Sequence, residues 1–569
     1  MKKGIISAIT LMAVSAALLS SCGNAKTGSK VAEGDKSKPM TFEIYDVAAN
    51  YQGMQTGWFA KIVKDKFNIE LNIIAPQVAG DTIFQTRASS GNLGDILILD
   101  ATQFNDCLAA GLIKDISDTI TSKPNLMKFE KQIRTFNAAL QENDPVKFYG
   151  IPTEMMDTSP TSVTVERIYS LPQLRWDLYN EIGAPELKNL DDLLNAFVKI
   201  REIHPVNEKG DPAYPFSLWP DWDGGDGMIG IANVLQLTTW YGDRVKGSAV
   251  LKPNGTFYPL TDKSGVYYKM LKFLNKAKRL GVVDPDSGTQ DWNSVCAKIS
   301  NGQVDFLWYS WEIDFWNTTA RYTDGTAFCF IPVADQNYYT DSDAYFGSGR
   351  VFAVGSKVSP DKYQRIMEFL DWYASPEGCT IQHAGLENFN YKKLPDGKFE
   401  QINDNALMDN LPVPAEFGGG GYSDGNNAIN QWICKSECTN PLTGEIYAPR
   451  FWASYKEKNM TQMRKDWEKK YNASSATDWM KKNGKLVVSP SVSVSLPSDT
   501  PDISIIRNSV NHSVCDASWR MIFAASDAEF DKMWNDMTTE VNGFGFDKLY
   551  KFDTEKYQIE VDAKAEAAR

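Results

Sequence analysis

Residues 40–100 read MTFEIYDVAANYQGMQTGWFAKIVKDKFNIELNIIAPQVAGDTIFQTRASSGNLGDILILD. Phe42 to Val47 alternates apolar and polar residues, the period of a strand. Trp58, Phe59, Ile62 and Val63 recur at helical spacing, and Ile69 to Ile74 is again strand-like. Thr82 to Ser89 reads as a second helix, and Asp95 to Leu99 is an uninterrupted apolar strand. This β-α-β-α-β order, with strands apolar on both faces, predicts a parallel sheet covered by helices. The crossovers should be right-handed. Ligands of such sheets gather beyond the carboxyl ends of the strands. Here those ends are Asn50–Tyr51, Pro76–Gln77 and Asp100–Thr102, so Asn50, Tyr51, Gln77 and Asp100 are candidates for one wall of a cleft.

Working outward, the 569 residues exceed what one core can hold, so two or more domains or lobes are expected. Upstream, Lys2 and Lys3 precede a short apolar run from Ile5 to Leu19, which reads as a signal peptide over residues 1–21. Residues 22–39 are polar and contain Gly, Ser and Lys, the composition of a flexible tether. Leu19-Ser20-Ser21-Cys22 resembles the bacterial lipobox. That resemblance implies lipidation of Cys22 and attachment to the outer face of a cell membrane. No later apolar run is long enough to span a bilayer.

The net charge of −13 becomes −15 once residues 1–21, with their two lysines, are removed. An acidic chain of this kind argues against nucleic acid as a partner. Eight cysteines include Cys22, and the other seven are scattered without a disulfide framework or paired zinc spacing. Three histidines make a His-based metal centre unexpected, so neither metal nor cofactor is predicted.

Downstream, Leu190, Leu193, Leu194, Phe197 and Val198 draw an apolar helical stripe behind Asn189 as N-cap. Tyr267, Met270, Leu271 and Leu274 draw another, stopped by Gly281. Ser359-Pro360 and Ser375-Pro376 open two more helices, residues 412–430 form a long Gly- and Asn-rich loop, and the last helical pieces are Glu529–Val541 and Gly545–Tyr557.

Between Asn301 and Asn317 the chain reads NGQVDFLWYSWEIDFWN. Rings interleaved with carboxylates are poor material for a dry core and good material for a cleft that holds a polar molecule with apolar faces. Sugars have such faces, rimmed by hydroxyls. Trp308, Trp311 and Glu312 are therefore candidate ligand contacts; the competing reading puts these rings in a core at a strand-to-helix junction. Trp219 and Trp222 lie in a Gly-rich loop and are further candidates. Arg175 could bring a cation, or could form a surface ion pair with Asp177 at a helix start. Gly421-Tyr422-Ser423-Asp424-Gly425 matches a nucleophile motif, but Gly418, Gly419 and Gly420 precede it where a strand is required. A glycoside hydrolase needs only two carboxylates, and it stays open as an alternative, as does a binding protein for peptide or another polar nutrient.

Several phrases together resemble the extracellular solute-binding proteins of ABC sugar importers, in particular their long, oligosaccharide-binding lipoprotein branch. They are SSGNLGDILILDATQF, AAGLIKDISDTI, KFYGIP, LRWDLYNEIGAPELKNLDDLLNAF, ISNGQVDFLWYSW, SPDKYQRIMEFLDWYASPEGCTIQHAGLENFNY and FDKMWNDMTTEVNGFGFDKLY. The resemblance implies an α/β fold of two hinged lobes, each a mostly parallel sheet flanked by helices. Lobe one would comprise residues 40–155 plus 345–395, and lobe two 156–344 plus 396–569. It also implies no enzymatic activity, a carbohydrate ligand, ABC permease subunits as partners, and a monomer. NGQVDFLWYSW would correspond to a cleft segment of lobe two, which makes Trp308 and Trp311 the leading contacts. One departure stands out. Long members of the family carry a calcium loop after the helix that here is Leu190–Ile203. Here that place reads His204-Pro-Val-Asn-Glu-Lys-Gly-Asp211, with few oxygen ligands, so calcium is not expected.

Overall fold

The computed structural model describes residues 36–569 apart from 81, 141–145, 226–227, 404–405, 407–408 and 495. The leader, Cys22 and nearly all of the tether lie outside the described residues. Nine strands build the two principal sheets: β1 (Met40–Asp46), β2 (Gly53–Met54), β3 (Ile69–Ile74), β4 (Ile96–Asp100), β5 (Gly150–Pro152), β6 (Ser170–Arg175), β7 (Phe306–Tyr309), β8 (Phe328–Phe330) and β9 (Arg350–Val354).

The first sheet runs β2-β3-β1-β4-β9-β5. Its centre is the expected one: β1 pairs in parallel with both β3 and β4. Helices Gly57–Phe67 and Thr82–Ser89 occupy the two crossovers. Strand β9, which arrives from far along the chain, adds antiparallel to β4 and β5. Alternation divides these strands between two cores. Ile44, Ile96, Ile98 and Phe352 face one cluster, while Tyr45, Leu97, Leu99 and Val351 face the other. Burial on both faces is why β4 shows no polar residue before Asp100.

The second sheet is β7-β6-β8, with β6 central and antiparallel to both neighbours. Single parallel bridges, Tyr214 to Val304 and Phe216 to Val283, lie beyond these strands. The mostly parallel order expected of both lobes thus holds for the centre of the first sheet, and the second has an antiparallel core. The predicted helices on this side are present. Leu190–Ile203 is capped by the Asn189 side chain, which accepts the backbone N–H groups of Asp191 and Asp192 at 3.0 Å each. Val266–Arg279 buries Tyr267, Met270, Leu271 and Leu274. The C-terminal helices Pro501–Ile522, Asp527–Gly543 and Phe546–Ala567 close this half of the molecule.

Two large apolar clusters divide the chain, one holding Phe42 to Met156 and Phe352 to Tyr447, the other Ile168 to Tyr338 and Met463 to Leu549. The expected boundary at residue 395 is therefore corrected. Residues 396–452 pack with the first lobe, where Val413, Tyr422, Ile429, Ile433 and Cys434 enter its core. The physical reason is the Gly-rich loop itself. The Trp58 indole stacks on Tyr422 with ring centroids 5.2 Å apart and donates to its carbonyl at 2.9 Å. A Cβ on Gly57 would stand 2.3 Å from the Cα of Gly425. The nucleophile-like motif is thus a close backbone contact on helix Gly57–Phe67, and Ser423 N–H is held by Asn410 Oδ1 at 2.7 Å.

Between the clusters the chain crosses at residues 157–167, 339–349 and 453–462. The first two crossings are tied to each other. Asp343 accepts the Thr164 N–H at 2.9 Å and the Thr164 hydroxyl at 2.6 Å, and Asp343 N–H donates to Ser162 O at 2.7 Å. Ser491 N–H joins them on Pro160 O at 2.7 Å.

Candidate ligand cleft

The aromatic run 306–316 is sorted by where the chain leaves its strand. Phe306 and Trp308 lie on β7, and their rings pack with Phe216 in the second core. Trp308 is only 2% exposed. At Ser310 the chain departs, held by Ser310 N–H on Tyr169 O at 2.9 Å, and Trp311 emerges half-buried. Glu312 turns back on its own strand: its Oε2 accepts the N–H groups of Trp308 at 3.1 Å and Tyr309 at 3.0 Å. Its carboxyl is 2% exposed, and burial pushes its pKa up to about 8 against those two hydrogen bonds. Glu312 therefore shapes the turn that presents Trp311; its carboxyl does not face solvent.

Around Trp311 a patch of half-exposed rings assembles. Trp292 lies 5.3 Å from Trp311 and 4.8 Å from Trp222, and Phe315 lies 5.9 Å from Trp292. Trp219 supports them from beneath, 1% exposed and 4.5 Å from Trp292. The structure thus brings Trp222 and Trp311 together at the surface and places Trp219 and Trp308 behind them as a core backing, which is the competing reading of Trp308 and differs from the expectation that Trp219 faces a ligand. Trp292 was not singled out from sequence, because it opens helix Trp292–Ser300 without an aromatic neighbour in the chain. Asp221 accepts its backbone N–H at 2.8 Å. Asp223 accepts Ala232 N–H and the Trp519 indole, and burial lifts its pKa to about 6. Tyr169, 57% exposed, extends the aromatic surface toward the crossing at 157–167, its ring 5.2 Å from Tyr309. A cavity of about 370 Å³ opens beside Tyr169 and is lined also by Met228, Gln236, Arg244 and Tyr339. A larger groove of about 520 Å³ beside Thr158–Thr164 has no aromatic lining.

Arg175 stands apart from this patch. It is buried, pairs through two nitrogens with Asp177, and lies over the Trp316 ring at 4.7 Å. It is an ion pair at the start of helix Trp176–Glu181, with the Asp177 partner its sequence allowed, but buried and not at the surface.

In the first lobe, Asn50 and Tyr51 are exposed after β1, and the Tyr51 hydroxyl donates to Met54 O at 2.5 Å. Gln77 falls in the short helix Pro76–Ala79, and its side chain lies outside the described residues. Asp100 is exposed and caps helix Ala101–Ala109 by accepting Gln103 N–H at 2.8 Å. Across from it in register is Arg350, the first residue of β9 after a crossing. Asp46, unmarked in sequence, ends β1 fully buried. Its Oδ1 accepts Ala48 N–H at 2.8 Å, and among the described residues no hydrogen-bond partner meets Oδ2. Burial lifts its pKa to about 7, opposed by the Ala48 N–H and the Arg350 charge. An Asp closing an apolar strand is the signal that could have flagged it.

The loop at the calcium position, residues 204–211, is held by its own contacts and by neighbouring side chains. Asn207 Oδ1 is committed to the N–H groups of Lys209 and Asp211 at 3.0 and 2.8 Å. Lys209 Nζ donates to Asn301 Oδ1 at 2.8 Å, and Glu208 pairs with Arg321. His204 Nδ1 lies 2.9 Å from Oδ1 of the buried Asp305. A hard cation needs six or more oxygens; here the Asn207 oxygen is spent on the loop's own N–H groups, Glu208 pairs with Arg321 and Lys209 brings a positive charge, so these residues do not fit calcium.

A family model described as bacterial extracellular solute-binding protein matches residues 53–378. Among curated proteins none matches the chain. Solved structures do match. An HMO binding ABC-transporter associated solute binding protein from Bifidobacterium longum infantis is 12% identical with a TM-score of 0.58, over 93% of this chain and 100% of that one. The Streptococcus pneumoniae ABC-transporter substrate binding protein FusA, in complex with kestose, is 15% identical with a TM-score of 0.58, over 92% and 99%. The N-glycan transport solute binding protein of Streptococcus pneumoniae is 14% identical with a TM-score of 0.50, over 94% and 100%. At these identities the likeness shows the fold: an α/β architecture like that of periplasmic binding proteins.

Proposed function

We propose that this chain, which belongs to the bacterial extracellular solute-binding proteins, captures an oligosaccharide between its two lobes and hands it to an ABC importer. Its family binds solutes and does not transform them. The observation that carries the reading is the patch of Trp222, Trp292, Trp311 and Phe315, half-exposed side by side on a backing of buried indoles. Flat rings cover the C–H faces of pyranoses, and carboxylates at the rim take hydroxyls. Asp221, Asp291 and Asp314 surround the patch and are exposed. The patch follows Tyr169 and the crossing at 157–167, while Asn50, Tyr51, Asp100 and Arg350 stand at the strand ends of the first sheet. A ligand touching both sets would favour a closed arrangement of the lobes by its differential affinity for that form. Three structural neighbours, the HMO binding protein, FusA in complex with kestose and the N-glycan transport protein, favour carbohydrate over peptide.

We further assign the membrane attachment to a lipid on Cys22, on the strength of the Leu19-Ser20-Ser21-Cys22 sequence. The test of the main reading is a thermal-shift and titration screen of the purified chain against tri- to hexasaccharides and against peptides. A saccharide at 100 times its dissociation constant should add about 2.7 kcal/mol of stability, with no change in the saccharide on prolonged incubation. Stabilisation by peptides alone, or turnover of the glycan, would overturn it.

A further inference from the structure

The aromatic surface continues past Trp311. Trp311 lies 5.4 Å from Tyr309, and Tyr309 lies 5.2 Å from Tyr169. Tyr309 is buried and Tyr169 is exposed, so two wet rings flank a buried one. Backbone pairing keeps them together. Ser170 stands opposite Tyr309 in the antiparallel pair of β6 and β7, and Ser310 N–H donates to Tyr169 O. The chain therefore enters β6 at the same end at which it leaves β7 for Trp311.

Beside Tyr169 is the cavity of about 370 Å³, within the range of about 300–1,000 Å³ common to small-molecule sites. Three segments build it. Helix Ala232–Thr238 supplies Leu235, the short strand Arg244–Lys246 brings Arg244, and the crossing at 339–349 begins with Tyr339 and Asp341. Tyr339 N–H donates to Thr239 O at 2.7 Å, which seats the crossing against the end of that helix.

The charged groups of the cavity are few and uncommitted. The Arg244 guanidinium lies over the Tyr339 ring at 5.3 Å. Its carboxylate neighbour, Asp341 Oδ2, is 3.9 Å away, beyond hydrogen-bonding distance. Asp341 Oδ1 accepts the Tyr339 hydroxyl at 2.9 Å, which leaves Oδ2 open beside Arg244. A donor and an acceptor held this far apart suit a ring with neighbouring hydroxyls: one hydroxyl accepts from Arg244 and the next donates to Asp341. The C–H face of the same ring would lie on Met228 and Leu235. A ring bearing a carboxylate would instead bring its charge against Asp341.

Given the saccharide reading above, we propose that this cavity is a second saccharide subsite and that the solute is a trisaccharide or longer glycan, one end on Trp222 and Trp311 and the other an uncharged ring between Tyr169 and Arg244. Two rings joined by a single glycosidic oxygen cannot cover Trp311 and also enter the cavity, because Tyr309 and Tyr169 stand between. The second subsite also ties ligand length to the lobes. Tyr339 and Asp341 open a crossing that Asp343 fastens to the other crossing through Thr164. A glycan that reaches the cavity touches lobe two and this crossing together, whereas one confined to the patch touches lobe two alone.

For the test, the purified full chain is incubated with a mixture of neutral and uronate-containing di- to hexasaccharides and freed of unbound sugar by gel filtration. Retained glycans are identified by mass spectrometry, then titrated singly beside their shorter homologues. Neutral trisaccharides or longer should be retained. Affinity should rise by about tenfold or more from disaccharide to trisaccharide, the scale of a hydrogen bond to a charged group. Tyr169→Ala and Arg244→Ala should each remove most of that rise. Tyr169 is 57% exposed, so its substitution does not endanger the fold. A disaccharide bound as tightly as its longer homologues, retention of uronate-containing glycans alone, or an unchanged length dependence in either variant would overturn the subsite and leave the saccharide reading standing. Retention of no glycan at all would overturn both.

Discussion

Trp308 and Trp311 stand three residues apart and should respond in opposite ways to the same substitution. Trp308 is buried among Phe216, Phe306 and Trp219, with centroid distances of 5.5, 6.0 and 6.0 Å. Removing a core indole leaves a cavity as well as losing transfer free energy, so Trp308→Ala should cost about 3–5 kcal/mol of stability. For a lobe of this size that lowers the melting temperature by roughly 6–20 °C. Trp311 is half-buried, with Tyr309 and Trp292 on its inner side. An aromatic side chain buries about 150–250 Å² when fully covered. If a pyranose covers a third to a half of that, about 50–125 Å² leaves water, worth about 1–3 kcal/mol at 25 cal/mol per Å². Trp311→Ala should therefore weaken saccharide binding by about 5- to 150-fold and change the melting temperature of the free protein far less than Trp308→Ala does. Differential scanning calorimetry of both variants, paired with calorimetric titration of the saccharide identified in the screen, measures both quantities. Undiminished affinity in Trp311→Ala, with a melting loss equal to that of Trp308→Ala, would refute the division of this segment into backing and platform.

Three further outcomes are expected. Glu312 has its pKa raised to about 8 by burial, so the unfolded chain releases this proton near pH 4.5 while the folded one keeps it. Stability from this group is therefore full below about pH 4.5 and is lost as pH rises toward 8, at about 1.4 kcal/mol per unit of the gap. Glu312→Gln, which can still accept both N–H groups, should match the native protein near pH 5 and exceed it in chemical denaturation near pH 8; parallel curves at both pH values would show that Glu312 ionises freely in the fold. Cys22→Ala should shift the protein from the membrane fraction to the soluble one on cell fractionation, and unchanged partitioning would mean that another element anchors it. Chelation should leave the melting temperature unaltered, because in loop 204–211 the Asn207 oxygen is committed to N–H groups and Glu208 to Arg321; a fall restored by calcium alone would show that the loop opens to take the ion.

Much of the fold could be read from local pattern because its centre obeys local rules. The alternation of Ile96, Leu97, Ile98 and Leu99 between two cores needs apolar residues at every position, and that run is visible in the chain. Caps such as Asn189 and Ser375 act on residues two or three positions away, so they too are visible. Strand β9 could not be placed, since it joins β4 across some 250 residues and its register with Asp100 is set by packing alone. The same holds for residues 396–452. Polar and Gly-rich, they look like a lobe-two excursion until Gly425 is seen against Gly57, a contact that depends on the lack of two Cβ atoms.

The site was half legible for a different reason. Aromatic density marks a place where rings are concentrated, but it does not say which rings are wet. In an exposed strand, period-two alternation would have sorted Trp308 from its neighbours. Strand β7 is covered on both faces, so Phe306, Leu307, Trp308 and Tyr309 are all buried and the alternation carries no information. What separates Trp311 is the exit of the chain at Ser310, fixed by the backbone of Tyr169 and by the Glu312 carboxyl turned back on β7. A carboxylate three residues after a strand can reach a sugar or its own backbone with equal ease on paper. The choice is made by the depth at which the turn is buried, and that depth is set by Trp219, Trp222 and Trp292, which reach the site from two other segments of the chain.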